Sequence, residues 1–512
     1  MTAGTEGAAN AETVVVVGAG PTGLMLACEL ALAGARPVVL ERLPEHSGQA
    51  PGMAINSTVV ELLDQRGLMD PLRDESLEWP QAHFAHLFLE PTELSEPHEY
   101  THVLPQAHLE RWLEERAGAL GARVLRGHEV VGLAQDADGV TVRVRSGGTE
   151  RDLRCAYLVG CDGARSAVRQ LAGIEFPGTD EPFYGIVGDL ATELTDEVIG
   201  HIGAHQCPAG VYTVSPFGPG GVRIATGEFD AAPPDPDAPV TVDELRESVR
   251  RLTGADPVPG APIWLARWHN ATRQADRYRE GRVFVAGDAA HVHFPLGGQA
   301  MSTGIEDAVN LGWKLAAAVG GWAAPDLLDT YHAERHPVGE RACLTTRAQV
   351  ALMHPMSRVA PLRDVFSELL RFPDVNDYLV RMAGGLDVRY RMAGQPSGDD
   401  AHALLGRRLP AVPLNTADGP SSTAQVLRTG RGVLLDFTGR NGLDERLDGW
   451  AGRVDVVRAE PEPRIGACAL LLRPDGRVAW AAGDRVERAE QAGLGNALRA
   501  WFGAPARAGA PA

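Results

Sequence analysis

The chain has 512 residues, 44% of them hydrophobic, enough to bury two or three separate cores. Its formal net charge of -19 argues against a generic binder of nucleic acid or of anionic membranes, both of which need a dense positive field to collect phosphate. Cys28, Cys155, Cys161, Cys207, Cys343 and Cys468 form no Cys-x-x-Cys pair and no zinc spacing, so they read as reduced thiols and no metal site is expected.

The polar stretch Met1 to Glu12 lacks the basic flank and apolar run of a secretion signal. The apolar segment near Leu311 to Gly320 is interrupted at Lys314 and falls short of the roughly 20 residues that cross a bilayer. A cytoplasmic protein without a membrane span is expected.

Residues 13 to 45 read as a strand, a Gly-rich turn, a helix from Thr22 to Ala33 stopped by Gly34, and a second strand from Arg36 to Leu40. This is the opening of a Rossmann-like fold. A helix around Thr58 to Gly67 and an irregular stretch follow, then a helix from Gln106 to Leu120, a hairpin turning at Asp138-Gly139, and a strand from Ala156 to Gly160. From about Gly178 to Trp268 the pattern turns to strands, with a Pro-rich loop at Ala231 to Pro239 and one helix near Val242 to Leu252, as in an inserted sheet domain. The nucleotide fold resumes at Arg282 to Ala286 and continues into a long helix from about Gly304 to Val319. Past Ala401, short strands, a turn at Pro474-Asp475-Gly476 and a final helix from Glu487 to Phe502 predict a small α/β unit, and the Ala/Gly/Pro tail after Gly503 is expected to be mobile. The domains predicted are 1–177 and 271–400 for the two parts of the nucleotide-binding unit, 178–270 for a β-sheet substrate domain, and 401–512 for the C-terminal domain.

Three motifs carry chemistry. Gly18-Ala19-Gly20-Pro21-Thr22-Gly23 lies between a strand and a helix, where backbone N–H groups and the positive helix end face a pyrophosphate. Glu41, about 20 residues on at the end of the second strand, is placed to accept hydrogen bonds from a ribose diol. Alone, this pair leaves a nicotinamide dehydrogenase open. Asp162-Gly163 then follows the strand Tyr157 to Gly160, and Gly287-Asp288 follows Val283 to Ala286 and leads through Pro295 into Gly297-Gly298-Gln299-Ala300-Met301-Ser302.

With these motifs in this order, nearly the whole chain resembles the class A flavoprotein monooxygenases, in the subgroup of aromatic polyketide hydroxylases related to phenol and p-hydroxybenzoate hydroxylases. The resemblance implies FAD, transient NADPH, O2 and oxygen transfer through a C4a-hydroperoxyflavin to a small polycyclic aromatic substrate. It implies that Asp162 and Gly163 place FAD and NADPH, that Asp288 binds the ribityl chain, and that the helix after Gly298 aims its N-terminus at the N1–C2=O edge of the ring. Gln106 is implied as a ribityl or phosphate contact and Val130 as a backbone contact to adenine; read alone, Gln106 is a helix-start side chain and Val130 a strand residue.

Two positions depart from the family pattern. Pro51 stands where an arginine contacts the flavin phosphates, leaving Arg42 or Arg111 as candidates to replace it. Ala300 stands where glycine is common before Met301. These departures keep open a non-redox cyclase or ligand-binding protein, beside hydroxylation and Baeyer-Villiger oxygen insertion. No catalytic acid or base is identifiable; His201, His205, Tyr212, His269, His291 and His293 are candidates by type, with a structural role the commoner fate of such histidines. Tyr212, Phe217, Arg223, Trp264 and Phe294 are candidates to line the substrate pocket, Trp268 beside them, although aromatic residues in strands usually pack. The C-terminal domain resembles the thioredoxin-like appendage of phenol-hydroxylase relatives without its Cys-x-x-Cys, and reads as structural, in a monomer or homodimer.

Overall fold

The computed structural model describes residues 13–49, 51–94, 96, 98–217, 220–233, 235, 238–255, 259–395, 401–439, 443–483 and 488–506. Met1 to Glu12, Ala50, parts of the Pro-rich loop, Glu487 and the tail from 507 lie outside them.

The chain is mixed α/β. In its first strand, Thr13–Val17, the valines Val14 to Val17 are covered on both faces, the signature of a central parallel strand. It pairs in parallel with Arg36–Glu41 on one side and with Tyr157–Gly160 on the other. The sheet is completed by Arg123–Arg126 at one edge and by Val283–Val285 and the antiparallel Arg279–Glu280 at the other. A three-stranded antiparallel sheet, residues 129–135, 140–146 and 149–155, packs on one face. On the other face lies the helix Pro21–Leu32, started by its proline and crossed by the helix Gln299–Val319. The crossing is close because Gly312 has no side chain: a Cβ there would stand 2.5 Å from the Glu29 Cβ.

The inserted unit is a six-stranded antiparallel sheet in the order 203–207, 210–216, 221–229, 178–191, 261–274, 291–292. Its two long strands, Gly178–Ala191 and Ala261–Gln274, extend well past the segments predicted, because bulges between Glu181 and Gly185 and between Asp189 and Leu190 interrupt the period-two pattern. The amphipathic helix Val242–Thr253 covers one face through Leu245, Val249 and Leu252. The Thr241 hydroxyl caps its start by accepting from Glu244 N, and Gly254, left-handed at φ +73°, ends it. The opposite face turns toward the end of the nucleotide sheet that carries the motifs.

The C-terminal unit is a four-stranded mixed sheet in the order 454–458, 432–436, 469–472, 478–482, backed by the helix Arg488–Phe502. Strands 203–207 and 478–482 are absent from the sequence reading, and the stretch read as irregular holds short strands at 77–79, 82–84, 87–89 and 101–103. The long helix begins at Gln299 rather than Gly304, since Gly298 in the left-handed region (φ +67°) serves as its cap.

Candidate functional site

All three motifs lie at the carboxyl ends of adjacent strands of the parallel sheet, the place where open α/β sheets bind ligands. Gly18 N donates to Leu40 O at 2.8 Å, which turns the chain sharply. Side chains are excluded at two of the glycines: a Cβ on Gly18 would meet Cys161 O at 2.4 Å, and one on Gly23 would meet Gly18 O at 2.0 Å. At Gly20 the reverse holds, for its Cβ direction is open for 4 Å. That open space lies at the N-terminus of a 12-residue helix that has no side-chain cap, where backbone N–H groups favour an anion. The Glu41 carboxylate accepts from Ala19 N at 2.8 Å and from Leu43 N at 2.8 Å, which fixes it beside the turn.

Asp162 accepts from the Ser166 hydroxyl and from Val168 N at 3.1 Å, so the Asp-Gly turn is anchored to the start of the next short helix. Burial pushes its carboxyl up, against these hydrogen bonds. Gly287 N donates to Asp307 Oδ2 at 3.0 Å, and the same carboxylate receives His291 Nε2 at 2.8 Å and, on its other oxygen, Arg335 Nε at 2.6 Å. His291 is therefore a fully buried strut. Its carboxylate partner holds the Gly287 turn in place, while Asp288 next to it is exposed. Thr22 packs against Gly287 and Gly304, tying the first motif to the third.

At the ring end, Gly298 ends the Pro295 loop and leaves the first N–H groups of helix Gln299–Val319 without a side-chain cap. Ala300 and Met301 stand half-buried in its first turn. Gly52 sits against both sides of this region: its N–H donates to Gln106 Oε1 at 3.0 Å, and Met301 Sδ lies 3.3 Å from where its Cβ would be. Gln106 is thus a clamp on the 51–53 loop, its Nε2 held by Glu110 at 2.7 Å. Val130 packs into the core between the two sheets.

Arginine takes part in that loop from an unanticipated direction. Arg42 is exposed, and Arg111 pairs with Glu75 at 2.8 Å. Arg223 instead donates from Nη1 to Pro51 O at 3.4 Å, with its other nitrogens in a bidentate pair to Asp189 at 2.7 and 2.8 Å. Both partners are buried, and they sit opposite one another on neighbouring strands, in a row that continues to Ser215 and Trp264. Phe217 and Trp264 flank the guanidinium at 5.2 and 5.5 Å. The alternation that sends Arg223 to this face was visible in the sequence; its contact across 172 residues to Pro51 was not.

The same face carries an aromatic cluster. Phe183 meets Trp268 at 4.6 Å and Phe294 at 5.3 Å, Trp268 meets Phe294 at 5.0 Å, and Phe229 stacks on Phe294 at 6.0 Å. Gly185 and Gly227 make room for it, since a Cβ on either would strike the Phe183 or Trp268 ring. Tyr212 belongs to the other face, packed with the Val242–Thr253 helix residues and stacked on His205. His269 is exposed, and His201 accepts at its carbonyl from His205 Nε2 and sets its ring edge-on to Tyr212. His293 is buried beside the ring end, where burial pushes its imidazole down to about 4 and keeps it neutral.

Residues 11–346 match a family model described as FAD binding domain, and residues 402–505 match one described as aromatic-ring hydroxylase, C-terminal. The chain is 50% identical over 492 residues to a dialkyldecalin synthase of Streptomyces rugosporus, covering 96% of this chain and 99% of that one. It is similar to the solved structure of a Diels-Alderase of pyrroindomycin biosynthesis, at 49% identity and a TM-score of 0.84, covering 97% of this chain and 100% of that one. It is similar also to an anhydrotetracycline hydroxylase of Streptomyces rimosus, at 42% identity and a TM-score of 0.88, covering 96% and 99%.

Proposed function

The chain belongs to the FAD-dependent monooxygenase family of aromatic-ring hydroxylases, an enzyme family of oxidoreductases, and from that premise we propose that it oxygenates a polycyclic polyketide-type substrate at the expense of NADPH and O2. The observation that carries this reading is that three glycine-bearing motifs stand together at the carboxyl ends of adjacent parallel strands, with Arg223 of the inserted sheet reaching the 51–53 loop beside them.

The residues present fit FAD. Gly20 leaves space that the pyrophosphate would take, Glu41 would accept from the ribose diol, Asp288 would hold the ribityl chain, and the uncapped N-terminus at Gly298 to Met301 would supply positive potential at the ring edge. Bound there, FAD supplies two-electron oxidation chemistry. The protein contributes position: Gln106 and Arg223 fix the 51–53 loop, and the packed cluster of Phe183, Phe229, Trp268 and Phe294 stiffens the sheet face on which Arg223 lies. Arg223 is the donor placed to orient a substrate oxygen, with Asp189 holding the fork rigid.

A second reading is favoured by a specific pair of positions. Pro51 removes the arginine the family uses at the phosphates, and Ala300 adds a methyl at the ring edge, in a chain that shares half its residues with a dialkyldecalin synthase. A carbon–carbon ring closure needs a site that folds a flexible chain but no acid, base or electron transfer.

One experiment separates the two. The purified yellow protein is mixed with NADPH and a candidate aromatic polyketide, while flavin absorbance and product mass are followed under labelled O2. Oxygenation bleaches the flavin and adds one labelled oxygen, with ring connectivity by NMR distinguishing hydroxylation from Baeyer-Villiger insertion. A flavin that stays oxidised while a linear polyene precursor becomes a cyclic isomer of equal mass overturns the oxygenase reading.

A further inference from the structure

Away from the cradle, a cavity of about 120 Å³ opens between the helix Ser57–Gln65, the end of the helix Pro373–Gly384 and the C-terminal unit. It approaches the roughly 150 Å³ that holds a benzene-sized guest. Its walls are unusually cationic. Arg381 is neutralised by Glu96 at 2.7 Å and Arg464 by Glu462 at 2.6 Å, while Arg407 stands 3.6 Å from the same Glu96, beyond a hydrogen bond. What remains is Arg408 and Arg477, with Glu61.

Arg408 and Arg477 face each other across an antiparallel bridge, where like charges repel. Arg477 is 1% exposed. Its Nη1 serves the carbonyls of Val388 and Gly406, and its plane stacks on Tyr390 at 4.3 Å. Its Nη2 lies 3.7 Å from Glu306, whose carboxylate is already engaged by Arg335 at 3.1 Å. Arg477 Nε and Nη2 and Arg408 Nε have no hydrogen-bond partner among the described residues. Arg408 spends only Nη1, on Asp475 O at 2.7 Å. Buried guanidinium N–H groups are costly to leave unpaired, and two of them side by side present the fork that oxyanions accept.

We propose that this cleft binds a small oxyanion, a phosphate or a carboxylate group, between Arg408 and Arg477, and so stitches the Ser57–Gln65 helix to the C-terminal unit. Glu61 does not oppose it near neutrality. Burial raises that carboxyl to about 7, against the pull of Arg408 and Arg477 and with the push of Glu99 and Glu306, so much of it is protonated and can donate to the anion.

The test is calorimetric titration of the FAD-loaded protein at pH 6.5, where Glu61 is mostly protonated, and again at pH 8 for the Glu61 comparison, with inorganic phosphate and, separately, with acetate, against a chloride control of equal ionic strength. Saturable binding of one equivalent is expected, and the anion that gives it identifies the group. Arg408→Gln should weaken it at least tenfold; Glu61→Gln, which fixes the uncharged form, should tighten it several-fold. Absence of saturable heat from either anion in the wild type overturns the proposal, as does unchanged affinity in Arg408→Gln. Should that variant fail to fold, unchanged affinity in Glu61→Gln overturns it instead.

Discussion

Gly20 and Gly23 are three residues apart in one motif, yet substitution should break the protein in different ways. Gly20 has ordinary extended backbone (φ -81°) and open space in its Cβ direction. Gly20→Val is therefore expected to fold with the thermal stability of the flavin-free wild type and to purify colourless, because the isopropyl group fills the pyrophosphate seat. Gly23→Ala would push its methyl to 2.0 Å from Gly18 O and is expected to be insoluble or strongly destabilised. Thermal melts beside the flavin-to-protein absorbance ratio check both; a yellow Gly20→Val protein would count against the cradle. Residues of this kind were legible in the sequence, since a turn between strand and helix dictates where glycine must stand. The Arg223 contact was not: Arg42 and Arg111 are nearer to Pro51 in sequence, but one is exposed and the other is spent on Glu75. Only the pairing of strand 178–191 with strand 221–229, which sets Asp189 beside Arg223, brings that guanidinium to the loop.

Among the elements, the helix Gln299–Val319 shows best why boundaries escape sequence reading. Residues 299 to 303 carry no apolar period of their own, so a start at Gly304 is natural from pattern alone. The true start is set by backbone geometry, with Gly298 held at φ +67° and its Cβ direction blocked by Ala54 O at 2.9 Å. The five earlier residues matter to function because they bring the helix N-terminus to Ala300 and Met301. Gly298→Ala should therefore cost about 1–2 kcal/mol from the left-handed backbone alone, and lower flavin affinity as the first turn moves. Equilibrium urea unfolding of the flavin-free protein measures the first effect and flavin fluorescence titration the second. Unchanged affinity would place the ring elsewhere. The inserted sheet was visible as a change to strand pattern at Gly178, while its full strand lengths were hidden by the bulges at Glu181 and Asp189.

Across the whole molecule, the C-terminal unit is joined to the nucleotide-binding part through buried charge. The turn Pro474-Asp475-Gly476, legible in the sequence as a turn, reaches Asn310 and, through Arg473, Glu334 on two helices of that part. Arg473 reaches Glu334 at 2.5 and 2.9 Å and also pairs with Asp475; Lys314 reaches Glu334 at 2.8 Å; and Arg66, paired with Glu29 at 2.6 Å, donates to Pro474 O at 2.7 Å. None of these partners could be matched from sequence, because each is chosen by the docking of the two units. Burial opposes the charge on Glu334, but Arg473 and Lys314 outweigh it and hold the carboxyl down at about 2; Asp475 is held down by Arg473 in the same way. A folded value below the unfolded one, which is about 4.3 for glutamate, means that this stability is present above that pH and is lost as the pH falls toward 2. Removing the shared cation leaves two buried carboxylates, so Arg473→Met should cost about 3–5 kcal/mol at pH 7. It should also flatten the acid limb, since neither carboxyl is then held so far down. Calorimetric melts of both proteins from pH 7 to the acid limit check the pair of effects together: a variant as stable as wild type at pH 7, or one with the same fall in melting temperature between about pH 4.3 and pH 2, would mean that the two units are held by their apolar contacts and the buried network is incidental.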